Sequence, residues 1–188
     1  MPATTRRRLS TAEERRETVL RTAIGAFASR GYFGTTTTDV AKAAGISQAY
    51  VYRLFPNKEA LFVAVVEHCF TRVRDSLEEG AAAAHGSSAE AALSAMGEAY
   101  ARLIGDQDLL LVQLHAQAAS VSEPAVREAV RAGYARAVEY VRGASGGSDE
   151  QVQEFFARGT LCHLVVSMGA EEIDAPWTRT LAAGIRHY

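Results

Sequence analysis

Apolar residues recur at three- and four-residue steps along almost the whole chain, and no stretch alternates with the two-residue period of a strand. The first such run holds Leu20, Ala23, Ile24 and Phe27; a capping box at Thr11–Glu14 opens it, Gly31 ends it, and Tyr32 and Phe33 plug the gap before the next element. Two short helices follow between residues 36 and 54. A long helix then runs from Asn57 to about Glu79, with one ridge of Leu61, Val65, Cys69, Val73 and Leu77 and a second of Phe62, Val66 and Phe70. A stripe this wide is buried against more than one neighbour. Gly80–Ser88 reads as a frayed end and a loop. Further helices span about 89–104, 109–119, from Pro124 to the loop at 143–148, 149–168, and from Pro176 to the end. The pattern predicts an all-α chain of about nine helices, without an internal repeat of 20–50 residues.

The two short helices carry the strongest local signals. Thr36 stands three residues before Asp39, as in a capping box. Gly45 falls where a left-handed turn residue is needed, Ile46 follows as a plug, Ser47 caps the helix Gln48–Leu54, and Pro56 stops it. Such a pair is a helix-turn-helix, whose second helix enters the major groove of DNA. Its exposed side carries Gln48, Ala49, Tyr50 and Arg53; Val51, Leu54 and Phe55 face inward; Tyr52 and Lys58 lie at the edges, where they can hold phosphates. An ordinary helical hairpin within an all-α core is the alternative reading.

The second half of the chain predicts a pocket and a seam. Helices five to eight would enclose an apolar pocket, with Met96, Tyr100, Leu110 and Gln113 as candidate lining residues, joined by Gln117, Tyr134, Phe155 and Cys162. Helix eight is apolar on two sides. One stripe contains Phe156; the other is Leu161, Val165 and Met168. Helix nine adds Trp177, Leu181 and Ile185, and no later element covers these surfaces. A second copy of the chain is the simplest cover, giving a two-fold four-helix seam through those seven residues. Packing within one subunit is the alternative.

Charge sharpens the division. Residues 1–58 hold ten basic and four acidic side chains, a net of +6, which leaves the remainder at −8 although the whole chain is at −2. One end is suited to a polyanion and the other is not. Residues 1–9, with Arg6, Arg7 and Arg8, read as a flexible basic arm. With 48% hydrophobic residues a core is readily built, and no apolar run is long enough to cross a membrane. Cys69 and Cys162 read as buried free thiols in a reducing cytoplasm, with a single disulfide as the alternative. Phosphate-loop, dinucleotide-binding and H-E-x-x-H motifs are absent, as is any zinc or di-iron spacing, so no catalytic residue, metal or cofactor is expected. His68 and His163 read as core or interface histidines.

Residues 16–61 resemble the DNA-binding domain of TetR-family transcriptional regulators. The likeness rests on Phe27 with Gly31-Tyr32, Thr35-Thr36, Asp39-Val40-Ala41, Ala44-Gly45-Ile46-Ser47, Tyr52, Phe55 and Asn57-Lys58-Glu59-Ala60-Leu61. It covers about a quarter of the chain; the rest agrees in length and helical character. The chain departs from the family at Ala49-Tyr50, where a small residue followed by Thr or Ala is common, and a bulky Tyr50 should change which bases are read. The resemblance implies a helix-turn-helix domain over residues 10–56 and a ligand-binding and dimerisation domain over 57–188. It implies a homodimer that binds double-stranded operator DNA as a repressor and lets go when a small-molecule effector enters the second domain. Carried over by position, Thr38, Gln48, Ala49 and Tyr50 would face base edges. Thr36, Thr37, Tyr52, Arg53 and Lys58 would meet phosphates, beside the cap at Ser47. Two recognition helices would sit about 34–36 Å apart. An all-α carrier or enzyme that never meets DNA, and a protein that dimerises to bind a partner protein, are the competing classes.

Overall fold

The computed structural model describes the backbone of residues 3–184 and the side chains of residues 13–170 and 172–184. Among these residues the only regular elements are helices: α1 (Ala3–Gly34), α2 (Thr37–Ala43), α3 (Gln48–Leu54), α4 (Lys58–Ala83), α5 (Ala89–Ile104), α6 (Gln107–Ala119), α7 (Pro124–Ser145), α8 (Asp149–Ser167) and α9 (Pro176–Leu181), with a 3-10 turn at Ala170–Glu172. The all-α expectation and the helix count hold.

The start of α1 differs from the sequence reading. Its backbone is already helical at Ala3, so residues 3–9, expected as an arm, and the cap expected at Thr11 lie inside the helix. No Gly or Pro stands between Ala3 and Gly25 to stop it, and Ala, Arg and Leu are good helix formers. Gly31 does break the helical course, with φ 68° and ψ −178°. Thr35, fully buried, donates across this kink to the Ala26 carbonyl at 3.0 Å. Beyond the kink Tyr32 is buried, but Phe33 is 66% exposed and plugs nothing. Just past the turn at Gly31 the two adjacent rings meet edge-on, with centroids 5.2 Å apart, the Tyr32 ring inside and the Phe33 ring facing outward.

α2 and α3 form as their caps dictate. The Thr36 and Asp39 side chains satisfy each other's backbone N–H groups at 2.9 and 3.2 Å, Gly45 takes the left-handed turn at φ 65°, and the Ser47 hydroxyl accepts from Tyr50 N at 3.2 Å. Val40, Ala41, Val51 and Phe55 close over α1 and α4.

α4 is the shared wall. Both of its apolar ridges are buried. Its first half packs Phe62 against Phe27 (ring centroids 4.7 Å apart) and Tyr32 (5.1 Å) in the head. Its second half packs on α5 and α7. The apolar core continues from the head into Leu109, Val112 and Ala116 of α6 and Val126 and Val130 of α7, so the boundary expected at residue 56 does not interrupt it. α7 crosses α4 closely: a Cβ at Gly133 would lie 2.3 Å from the Phe70 ring. Both cysteines are buried and unbridged. No helix among the described residues is long and apolar enough to cross a membrane.

Gly133→Ala is therefore expected to force the Phe70 ring from its place and to lower stability by about 1–3 kcal/mol, read as a lower urea midpoint. An unchanged midpoint would mean that the α4–α7 crossing is looser than described.

Candidate nucleic-acid interface and interior cavity

The head presents α3 outward. Gln48, Ala49, Tyr52 and Arg53 are exposed, Tyr50 is half-exposed and Val51 is buried, as expected from a helix that anchors one side in the core. Thr36 and Thr38 flank it, both exposed, and so is Ser47. Thr37 is different. It is buried, accepts from Gln48 Nε2 at 3.0 Å and donates to the Tyr52 hydroxyl at 3.1 Å. One threonine thus ties two α3 side chains to α2 and is not itself available to a phosphate. Lys58 also turns inward. Its Nζ donates to the Tyr32 carbonyl at 2.9 Å and lies 4.3 Å from the centre of the Tyr32 ring. Lys58 stands at the start of α4, and in the free protein its ammonium caps the bent end of α1 with one of its three N–H donors.

Two arginines of α1 belong to the same surface and were not among the expected site residues. Arg15 donates to the Tyr50 hydroxyl at 3.3 Å, and its guanidinium and that of Arg53 lie 5.8 and 5.6 Å from the Tyr50 ring centre. Arg16 donates to the Leu54 carbonyl at 3.2 Å and stacks on Phe55 at 4.3 Å. Their charge is visible in the sequence; their register toward α3 is not, because it depends on how α1 crosses the head. Tyr50 therefore sits between two cations, beside a shallow recess that it lines with Arg15, Ile46 and Ser47.

A cavity of about 550 Å³ lies among α4, α5, α7 and α8. Its apolar lining includes Phe70, Leu77, Leu93, Tyr134, Phe155 and Phe156. Tyr100, Gln113 and His163 supply a buried polar cluster: His163 Nε2 is 2.5 Å from the Tyr100 hydroxyl, which lies 3.3 Å from Gln113 Oε1. His163 Nδ1 has no partner, and the residue is only 4% exposed. Burial pushes the Tyr100 hydroxyl pKa well above, and the His163 pKa below, their ordinary values. Both side chains are neutral near pH 7.

Residues 19–65 match the family model of bacterial regulatory proteins of the tetR family. The match covers about a quarter of the chain and takes in both α2 and α3. The negative transcriptional regulator IcaR of the biofilm operon icaADBC from Staphylococcus epidermidis is 36% identical over 62 residues, which cover 33% of this chain and 34% of that protein. Nucleoid occlusion factor SlmA of Haemophilus influenzae is 44% identical over 59 residues, 31% of this chain and 27% of the relative. The matched segment thus spans about a third or less of each of these relatives. The overall fold is shared more widely. The transcriptional regulator FadR from Bacillus subtilis, solved in complex with stearoyl-CoA, superposes with a TM-score of 0.70 over 90% of this chain and 99% of that one, at 19% identity. A TetR-family regulator from Agrobacterium tumefaciens gives 0.69 over 92% and 94%, at 16% identity.

Five of the eight residues expected at the cavity line it: Tyr100, Gln113, Tyr134, Phe155 and Cys162. Met96 and Leu110 are fully buried packing residues, and Gln117 donates to the Tyr134 hydroxyl at 2.7 Å from outside the lining. His163, expected as a core or interface residue, is buried and also faces the cavity. Phe156, expected at a seam, lines the cavity and stacks edge-on against Phe155 at 5.3 Å. Val165, expected at the seam as well, is fully buried within its own subunit. The outward stripe of α8 is Leu161, Leu164 and Met168, spaced three and four residues apart; the expected stripe had taken Val165 for Leu164. Leu164, Met168, Ile173 and Trp177 are all close to half exposed, and Leu181 is half-buried. Ile185 lies outside the described residues. Among those residues no cluster of His, Cys, Asp or Glu could hold a metal ion.

Two outcomes follow from these contacts. Lys58→Met should cost about 1–2 kcal/mol of stability in urea by freeing the Tyr32 carbonyl; no change would return Lys58 to the outer surface. Because the folded state holds His163 neutral, its contribution to stability is complete above the ordinary value of 6.5 and declines as pH falls below it. The urea midpoint should therefore drop between pH 7.5 and 5.5, and His163→Gln should flatten that slope. An equally steep slope in the variant would place the titrating group elsewhere.

Proposed function

We propose that this chain is a homodimeric transcriptional repressor that binds operator DNA through α3 and releases it when a small, largely apolar molecule occupies the cavity among α4, α5, α7 and α8. The carrying observation is the outer side of α3. Gln48, Ala49 and Arg53 are exposed on a helix capped at Ser47 and propped from behind by Val51, with Tyr50 held between Arg15 and Arg53. A helix presented in this way, on the basic third of the chain, is suited to a groove lined by phosphates. Gln48 can pair with adenine once it leaves Thr37, and Tyr50 can meet a thymine methyl or an acceptor. Arg53, Tyr52 and the exposed threonines would hold the backbone. This work belongs in the cytoplasm, where the DNA is, and needs no catalytic group.

The exposed apolar stripe of α8 with Trp177 of α9 supports the two-fold seam, since a patch of this kind needs a cover. FadR, with its bound stearoyl-CoA, supports the reading of the cavity as an effector site. An effector acts by binding the DNA-incompetent arrangement more tightly than the competent one.

The purified protein should select duplex fragments from its own genome, with affinity falling steeply as salt rises. Arg53→Ala should weaken all duplexes alike and reduce the salt slope by about one, whereas Gln48→Ala should relax preference at one base position, costing about 1–3 kcal/mol there. The absence of duplex binding at low salt would sink the proposal. Met168→Glu with Leu164→Glu should yield monomers by light scattering; a wild-type monomer would remove the seam.

A further inference from the structure

Two tyrosines of α3 are tied to neighbouring helices, and the ties differ in kind. Tyr52 meets the Thr37 hydroxyl at 3.1 Å, and two hydroxyls can exchange the roles of donor and acceptor. Tyr50 meets Arg15 Nη1 at 3.3 Å, and a guanidinium has donors only. The direction of this second bond is therefore fixed. The Tyr50 oxygen accepts, and its one proton points away from Arg15. The bond lies at the surface, within reach of a group docked on α3.

The ring has somewhere else to go. The recess beside it has apolar walls in Val19, Ala44 and Ile46. A phenol ring that swung into this recess would bury apolar area and leave the outer side of α3. Arg15 opposes that swing by holding the hydroxyl. The guanidiniums of Arg15 and Arg53, 5.8 and 5.6 Å from the ring centre, flank the ring as well. A side chain with two rotatable bonds is thereby ordered before a partner arrives, which lowers the cost of ordering it on binding.

The same two cations decide which partner suits the hydroxyl. On its major-groove edge guanine presents two acceptors, O6 and N7, and no donor. Adenine and cytosine each present an amino donor, and thymine sets a methyl group beside its single acceptor. An O–H donor between two guanidiniums is matched to the edge with the most acceptors and is repelled by an amino group.

We infer that Arg15 is a positioning residue for sequence recognition: it holds Tyr50 outward with its proton turned away, so that Tyr50 reads guanine at one base pair of each operator half-site. This rests on the reading of α3 as the helix that meets DNA. Of the two contacts open to Tyr50, a thymine methyl and an acceptor, it selects the acceptor.

Selection from a randomised duplex library with the full chain, followed by affinities for single-base variants of the selected site, tests it. Tyr50→Phe keeps the ring and removes the hydroxyl, and the base pair whose discrimination it changes is the one Tyr50 faces. There the wild type is expected to prefer guanine by about tenfold. Arg15→Met keeps the stem and removes the guanidinium; it should cut that preference to about twofold or less and leave the other positions unchanged. Once Tyr50→Phe is in place, Arg15→Met should have no further effect at that base pair. An arginine that merely held a phosphate would behave otherwise: its loss would weaken every duplex alike, reduce the salt slope and leave the preference standing. That result overturns the assignment, as does adenine, cytosine or thymine at the Tyr50 position, or a Tyr50→Phe variant that changes no position. Arg15 is exposed, and Arg15→Ala serves as the second variant should Arg15→Met not fold. The two readings fail separately. A wild type that binds no duplex removes the reading of α3 and this one with it; a wild type that binds an operator without guanine at that position removes only the role of Arg15.

Discussion

Burial of α4 along both of its ridges is the condition on which the two ends of the chain rest. Phe62 completes the head by stacking between Phe27 and Tyr32, and Phe70, two turns on, completes the second half against Tyr134 and the bare backbone of Gly133. Each large side chain buried in this way contributes roughly 1.5–3 kcal/mol. The net stability of a domain is only about 5–15 kcal/mol. A few residues of one helix therefore hold as much as the whole fold has to spare. They also leave no apolar gap at which head and body could separate cleanly.

The same compactness governs the polar groups. Thr37, Gln48 and Tyr52 form one hydrogen-bonded chain, and Lys58 serves the carbonyl at the bend of α1. In the free protein these residues hold the head together before any partner arrives. Gln48 spends one of its two amide N–H donors on Thr37, which fixes its side chain and leaves its second N–H and its oxygen for another group. The interior cavity follows a different rule. Its Tyr100–His163–Gln113 chain is satisfied except at His163 Nδ1, a nitrogen that is itself buried.

Much of this was legible in the sequence where local chemistry decides. The Thr36–Asp39 and Ser47 caps, the left-handed Gly45, the break at Gly31, Pro124 opening α7 and the α4 ridges all depend on neighbours within a turn or two. What failed depends on contacts distant in sequence. Periodicity cannot say which of Leu164 and Val165 faces out on a helix apolar on two sides. The inward bond of Lys58 is hidden in the sequence because its acceptor, the Tyr32 carbonyl 26 residues earlier, is freed by the kink at Gly31. Met96 and Leu110 look like their cavity-lining neighbours, and only the packing of α5, α6 and α8 separates a wall from what lies behind it.

The bend at Gly31 has its own consequence. The His115 imidazole of α6 fills the space a Cβ would need there, at 2.8 Å, and its Nε2 lies 3.1 Å from the Ala28 carbonyl in the last turn before the bend. Two residues earlier on α6, Gln113 lines the cavity. The rod that borders the chamber thus has its knuckle seated in the elbow of the N-terminal head. Without slack in that socket, a twist of α6 must either carry the head along or lift the imidazole out of its seat.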